Sequence, residues 1–313
     1  MKTGVVIKST GSWYTVKFKD KNIVNCRIKG KFRIKSIKST NPVTVGDVVD
    51  VETLKNNDNL IIKIHPRKNY IIRKSVNLSK QTHIIAANID QVFLIITLER
   101  PPTLTAFIDR FLVTAEAYHI PAVLLFNKSD LKEEIASIKR KEIINTYTNI
   151  GYKCIEISVK TKLNIDILIK LMTDKVSMFS GHSGVGKSSL INILDPNLQL
   201  AAKKISDQHK QGIHTTTFAE MFALPFGGSI IDTPGIKGFG VVDMNPQELD
   251  GYFPEFFKLK SKCKFKNCLH VNEPDCAIKS AVKLGQINSW RYENYLQIIN
   301  GDEAIYRTDI YNI

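Results

Sequence analysis

Residues 181 to 189 read Gly181, His182, Ser183, Gly184, Val185, Gly186, Lys187, Ser188, Ser189, and contain the spacing G-x-x-x-x-G-K-[ST]. Each position in that pattern has a physical reason. Glycines let consecutive backbone N–H groups wrap a phosphate, and a helix starting at the loop adds its positive dipole end. Lys187 can reach β- and γ-phosphate oxygens, and Ser188 can ligate magnesium. The context is the required one, because an apolar run, "VSMFS", precedes the loop and a helix-forming run, "SSLINIL", follows it. Further on, "SIIDTPG" ends a strand with Asp232, suited to hold magnesium through a water, and offers the Gly235 N–H to a γ-phosphate. Alone, D-x-x-G is usually just a turn. Between the two lies "HKQGIHTTTF", polar and without periodicity. It suits a switch in which one hydroxyl meets magnesium only when the γ-phosphate is there. Thr216 is the candidate and Thr215 the near alternative; taken without its neighbours the stretch is a threonine-rich surface loop.

A base-reading pattern sits upstream. "AVLLFNKSD" ends an apolar run with Asn127, Lys128 and Asp130. Asp130 can accept hydrogen bonds from guanine N1–H and its 2-amino group, which adenine cannot reproduce, while Asn127 and Lys128 support the base and the loop. Charge-assisted bonds of about 1.5 to 3 kcal/mol each make ATP a poor substitute. "ISVKT" supplies Ser158, Val159 and Lys160 at another strand end, where a backbone N–H can read guanine O6. Base-reading elements therefore precede the phosphate loop, the reverse of the usual order. A circular permutation accounts for this, since a sheet keeps its strand contacts when old termini are joined and new ones opened elsewhere.

The third constellation is Cys263, Cys268, His270 and Cys276, spaced C-x4-C-x-H-x5-C. Three thiolates and an imidazole suit one closed, structural, tetrahedral zinc site, which would hold together a segment too small for an ample core. Reduced structural cysteines are the alternative. An odd total of five cysteines argues against a disulfide framework, and Cys26 and Cys154 fall on strands, where they read as small buried hydrophobes.

These residues need elements to position them. The expected fold is multidomain α/β: a β-barrel over 1–66, a circularly permuted P-loop GTPase domain over 67–245 and a small zinc-binding domain over 246–313. The first segment consists of short β-branched or aromatic runs, "GVVIK", "WYTVKF", "NIVNCRIKGKFRI", "VGDVVDVE" and "NLIIKI", most simply an OB-fold. It holds 13 Lys and Arg against 5 Asp and Glu, the densest positive surplus in the chain, and is the expected footprint for a polyanion such as RNA. Trp13, Tyr14 and Phe32 are available to stack on bases, but in so small a barrel the core has the stronger claim on most of them, and none is assigned to a site. Residues 65–75, "HPRKNYIIRKS", read as a basic connector. From about residue 80 buried strands ("QVFLIIT", "PAVLLF", "KCIEIS") alternate with helices, "AFIDRFLVTAEAYHI" and one starting near Lys162, which predicts a doubly wound sheet with ligands at strand C-termini. The last helix, "INSWRYENYLQII", is expected to pack across the cysteine knuckle, whose "KLKSKCKFK" is a second basic patch. No apolar run is long enough to span a bilayer, so the expectation is a cytoplasmic protein without membrane contact.

Together "NKSDL", "GHSGVGKSSL", "HTTT", "DTPG", the Cys/Cys/His/Cys spacing and "RYENYL" resemble the ribosome small subunit-dependent GTPase A family, over nearly the whole chain. The pattern departs at Ile213, Ile236 and Gly238. The resemblance implies a GTPase acting late in small-subunit maturation, whose hydrolysis of GTP to GDP and phosphate is stimulated by that subunit, with the subunit and its rRNA as partners. Ile236 stands where many GTPases carry the glutamine that orients the attacking water, so intrinsic turnover should be slow. His214 resembles the histidine proposed for the family in that role, with a structural or RNA-contacting role as the alternative. Two other classes compete: an RNA-binding module whose nucleotide is chiefly structural, and an ATP-dependent nucleic-acid enzyme, which Asp130 disfavours. A monomer is expected, since no coiled-coil heptad is evident.

Overall fold

The computed structural model describes residues 1–29, 42–54, 57–74, 82–131, 134–198, 219–232 and 245–301. Two compact units emerge, one of residues 1–92, 166–179 and 188–237, the other of residues 93–165, 180–187 and 238–313.

The first unit contains the barrel. Its strands are β1 (Lys2–Ser9), β2 (Tyr14–Phe18), β3 (Ile23–Ile28), β4 (Val48–Thr53) and β5 (Asn59–Ile64). The period-2 alternation of β2 sends Tyr14, Val16 and Phe18 inward and leaves Thr15 and Lys17 half-exposed. Pairing runs β1-β2-β3-β5-β4 and returns from β4 to β1, with Lys2 opposite Val51 and Val5 opposite Val48, so the five strands close on themselves. Only β3 with β5 is parallel within that ring. This is the Greek-key closure of the OB-fold. Val6, Tyr14, Val16, Cys26, Val43, Val49 and Ile61 fill the interior. Tyr14 is thus core, whereas Trp13 is 44% exposed, with the Arg27 guanidinium 4.2 Å from its ring centroid. Phe32 lies outside the described residues.

The expected connector differs from expectation. Tyr70–Lys74 forms β6 and pairs antiparallel with β7 (Thr82–Ala87). A short apolar run bounded by basic residues was enough for a strand once a partner existed. The ends of the hairpin are fixed by Asn69, whose side-chain amide donates to the Ile89 carbonyl at 2.8 Å and accepts from the Ile89 N–H at 2.8 Å. Upstream, Arg67 makes a two-pronged ion pair with buried Asp47, at 2.6 and 2.7 Å, which ties the hairpin's entry to the barrel. The same unit holds β11 (Val176–Ser180), β12 (Glu220–Ala223) and β13 (Ser229–Asp232): β13 is parallel to β11 and antiparallel to β12. Lys8 of β1 lies opposite Glu220 of β12 and pairs with it at 3.0 Å.

The second unit carries the parallel strands β8 (Gln91–Ile96), β9 (Ala122–Phe126) and β10 (Lys153–Glu156), in spatial order β10-β9-β8. β8 is buried at every position, as a strand covered on both faces must be. Helix α1 (Thr105–Ala117) connects β8 to β9 and α2 (Glu134–Ile150) connects β9 to β10. Helix α3 (Ile165–Met172), which precedes β11, and α4 (Lys187–Leu194), which follows it, belong almost wholly to the first unit. The C-terminal part has α5 (Pro246–Leu249), α6 (Pro254–Leu259), α7 (Ala277–Lys283) and α8 (Ser289–Asn300). Helix α8 is capped at both ends: the Asn288 side chain accepts from the Trp290 N–H, and Gly301 takes the left-handed conformation at φ +71°. Its expected packing across the knuckle is observed, for Tyr295 joins Phe253, Phe256, Cys268, Cys276 and Ile278 in one core, to which α1 contributes Val113.

Candidate functional site

The loop 181–187 leaves β11 and runs into α4, so its backbone N–H groups precede a helix start, as the spacing requires. Gly186 has φ +100°, and a Cβ there would lie 2.5 Å from the Asn127 Nδ2. Only glycine permits both the conformation and that approach. The Lys187 ammonium donates to the Gly181 carbonyl and, at 2.7 Å, to the His182 carbonyl, which fixes the amine against its own loop. Partial burial lowers its pKa, and the His182 imidazole is likewise lowered by burial and then by the neighbouring Lys187 charge. His182 is covered by Phe107 of α1, with ring centroids 3.8 Å apart.

Asn127 joins the end of β9 and the 158–160 turn to this loop. Its backbone N–H donates to the Ile96 carbonyl at the end of β8, its Nδ2 donates to the Val185 carbonyl at 2.8 Å, and its Oδ1 accepts from the Val159 N–H at 3.2 Å. One buried amide therefore holds the phosphate loop and the 158–160 turn in fixed register. Ser158 is fully buried; its hydroxyl donates to Asp130 Oδ1 at 2.7 Å and accepts from the Thr161 N–H at 3.1 Å. The Ser158 hydrogen bond holds the Asp130 carboxyl below its usual range. A charged, oriented acceptor results, as reading two guanine N–H groups demands. Lys128, at φ +63°, donates through its ammonium to the Arg100 carbonyl. Lys160 is exposed at the rim. Arg140 of α2 reaches back to the Leu131 carbonyl and Glu156, both at 3.4 Å, and steadies the turn after Asp130.

Ser188 and Ser189 lie exposed in the first turn of α4, and the backbone of Asp232 ends β13 opposite Glu220. His214, Thr215, Thr216 and Gly235 lie outside the described residues, as do Ile213, Ile236 and Gly238.

The cysteine knuckle comes together. The ligating atoms of Cys263, Cys268, His270 and Cys276 all lie within 4.8 Å of one another. His270 Nδ1 is 3.7 Å from the Cys263 sulfur and 3.3 Å from the Cys276 sulfur. Those separations approximate the edges of a tetrahedron with zinc–ligand bonds of about 2.0 to 2.3 Å. The donor set fits a metal on chemical grounds too. Burial pushes the Cys268 thiol up to about 12, so this sulfur becomes a thiolate near neutral pH only against a cation.

The supporting shell escaped sequence reasoning. His270 Nε2 faces Asp250 at 3.3 Å, and Asp250 is in turn held by Lys260 at 3.1 Å. Burial opposes ionisation of Asp250, but the His270 and Lys260 hydrogen bonds outweigh it and keep the carboxyl below its usual value. A carboxylate behind the ligating imidazole fixes its tautomer and direction. Glu273 accepts from the Leu269 and Val271 N–H groups, and the hydroxyls of Tyr292 and Tyr295 donate to the carbonyls of His270 and Leu269 at 2.6 and 2.9 Å. The two tyrosines belong to the "RYENYL" run, which was the available signal; Asp250, twenty residues upstream of the histidine, carries none. Cys26 and Cys154 sit on β3 and β10 with thiols pushed up to about 11 by burial, in keeping with a packing role.

Comparison with known proteins matches residues 64–242 to the RsgA GTPase family and residues 3–61 to the RsgA N-terminal domain. The small ribosomal subunit biogenesis GTPase RsgA of Flavobacterium johnsoniae is 61% identical over 312 residues, covering 99% of this chain and 96% of that one. Among solved structures, YjeQ from Thermotoga maritima superposes with a TM-score of 0.79 at 34% identity, covering 96% of this chain and 98% of that one. YloQ, described as a circularly permuted GTPase, gives 0.76 at 29% identity, covering 96% and 94%.

Proposed function

The chain belongs to the RsgA GTPase family, and from that premise we propose that it is a GTP hydrolase acting as a switch in late maturation of the small ribosomal subunit. The observation that carries the guanine reading is the buried Ser158 hydroxyl holding Asp130, with Asn127 joining that acceptor to the phosphate loop. In this reading Asn127, Lys128, Asp130 and Ser158 to Lys160 take the base, and residues 181 to 189 take the phosphates, with Asp232 and Gly235 contributing at the γ end. Lys187 supplies positive charge where negative charge accumulates on the transferred phosphoryl oxygens. Magnesium, held by Ser188, Thr216 and Asp232, would neutralise charge on the β- and γ-phosphates. His214 would orient the attacking water once the partner orders its loop. Cys263, Cys268, His270 and Cys276 would hold one structural zinc.

The ordering of parts follows the same three-part reading: a barrel domain over 1–66 for rRNA, a permuted GTPase domain over 67–245 and a zinc-binding domain over 246–313. GTP would favour docking of a monomer on the subunit and hydrolysis would release it. Among the described residues no helix is long and apolar enough to cross a membrane. The proposed setting is the cytoplasm, where ribosomal subunits mature.

Competition between nucleotides tests the site. GTP and GDP should displace a fluorescent guanine nucleotide and ATP should not, and Asp130→Asn should weaken GTP by roughly 10- to 150-fold, the loss of one charge-assisted bond of about 1.5 to 3 kcal/mol. Full ATP competition, or an Asp130→Asn variant with unaltered affinity, would remove the guanine assignment.

A further inference from the structure

A buried ionic network lies away from the nucleotide residues. Asp109 of α1 and Arg291 of α8 are 0% and 1% exposed and meet at 2.5 Å. The same carboxylate accepts from Asn294 Nδ2 at 2.6 Å and from the Tyr147 hydroxyl of α2. Arg291 donates in addition to both oxygens of Glu255 on α6, at 2.7 and 3.2 Å, and lies over the Phe253 ring at 4.4 Å. Burial opposes charge on both groups. Burial wins at Asp109, whose carboxyl stays above its usual value despite Arg291, Tyr147 and Asn294, while Asp109 and Glu255 together hold the guanidinium well above its ordinary range. Such a network adds little stability over apolar residues of the same volume, but its fixed geometry leaves one way to seat α1 against α8.

Seating matters because of what α1 touches on its other side. Phe107 and Asp109 are two positions apart, about 200° around a helix, so they face nearly opposite directions. Phe107 covers His182, and the His182 carbonyl is one of the two anchors of the Lys187 ammonium. Val113, one turn beyond Asp109 on its side, enters the core shared with Phe253, Phe256 and Tyr295. Helix α1 is therefore a single rigid layer with the knuckle's helices on one face and the phosphate loop on the other.

We propose that the Asp109–Arg291–Asn294 network is a positioning device for the phosphate loop: it sets α1 so that Phe107 holds His182, and through the His182 carbonyl it places Lys187. This rests on the reading of residues 181 to 189 as the phosphate site. It makes the knuckle a part of the nucleotide machinery, so that displacing α8 displaces Lys187. Asn294 and Arg291 are positioning residues, since neither approaches the loop itself.

The test uses the full-length, zinc-loaded protein and the dissociation rate of a fluorescent GDP. Asn294→Ala removes one hydrogen bond without leaving a buried charge, and Phe107→Leu removes the ring with little change in volume. Each should accelerate release by roughly two- to thirtyfold, the range of couplings carried through packed elements. The double variant should be no faster than the faster single one, because both interrupt one chain of contacts. Phe107→Tyr should restore the wild-type rate, and zinc content should stay at one per chain throughout. A paired Asp109→Leu, Arg291→Met variant with Glu255→Gln beside it, so that neither carboxylate is left without its guanidinium, should match Asn294→Ala. Wild-type release from either Asn294→Ala or the paired variant, or rates that multiply in the double variant, would overturn the relay. A wild-type protein that binds no guanine nucleotide would overturn the site reading and the relay together; tight wild-type binding with indifferent variants would overturn the relay alone.

Discussion

At the scale of single residues, what decides function is how a reactive group is held. Asp130 is the clearest case. Its carboxyl is kept below the ordinary range by the Ser158 hydroxyl, so folding favours its charged form, as the proposed guanine contact would. The sign follows: a depressed carboxyl contributes above its unfolded value of about 4 and the contribution is lost as pH falls through the lower folded value. The contribution of Asp130 to GDP affinity, read as the wild-type to Asp130→Asn ratio, should accordingly stay level from neutral pH down to about pH 4 and fall only below it, while Ser158→Ala should move the fall upward. Titration of GDP binding against pH with both proteins checks this; coincident profiles would deny Ser158 its role. The residues gathered here were legible as candidates because phosphate and base recognition would tie them to fixed spacings. Asp250, Glu273, Phe107 and Arg140 were not, because a supporting side chain needs only to be near in space and leaves no spacing behind. Trp13 shows the opposite error of a general rule: a small barrel claims most of its aromatics, yet this ring stays at the surface beside Arg27 while Tyr14 goes inside.

At the scale of elements, strands whose burial is simple were readable and pairings were not. The alternation in β2 and the continuous apolar run in β8 follow directly from one and two buried faces. The hairpin of β6 and β7 was missed because "YIIRK" is short and sits in a basic run, and what secures it, Asn69 against Ile89 and Arg67 against Asp47, is contact across about twenty residues. Helix α2 has a weak apolar stripe, and much of its sequence is polar; its place is set by packing, including Tyr147 against Asp109. The phosphate loop shows how tightly elements constrain a residue. Gly186→Ala would put a methyl where Asn127 Nδ2 already stands and would force a conformation L residues rarely adopt. A strain of about 1 to 3 kcal/mol should weaken GDP roughly five- to 150-fold, with barrel stability unchanged. Calorimetric titration and a melting curve distinguish this from global unfolding, and normal GDP affinity would show that the loop relaxes freely.

At the scale of the whole chain, order is the informative feature: base-reading elements come before the phosphate loop, and the segment after "DTPG" leads into the cysteine knuckle. The knuckle's tight ligand set and its carboxylate-backed histidine suit a metal, and the proposed zinc would be part of the fold. Chelation should therefore release about one zinc per chain, open residues 245–301 to protease and lower the Tm by about 5 °C or more, for a loss of about 2 kcal/mol. A chelated protein with unchanged melting and protease resistance would reduce the four residues to ordinary packing. With Ile236 in place of a water-orienting glutamine, the proposed GTPase needs its partner to complete turnover. The most direct measurement is GTP hydrolysis by the purified chain alone, with small ribosomal subunits, and with large subunits, at one stated salt concentration. Slow turnover alone, rising at least about tenfold with small subunits only, is the predicted result; tight binding of GTP and of small subunits without any rise in turnover would contradict it and leave an RNA-binding protein whose nucleotide is structural.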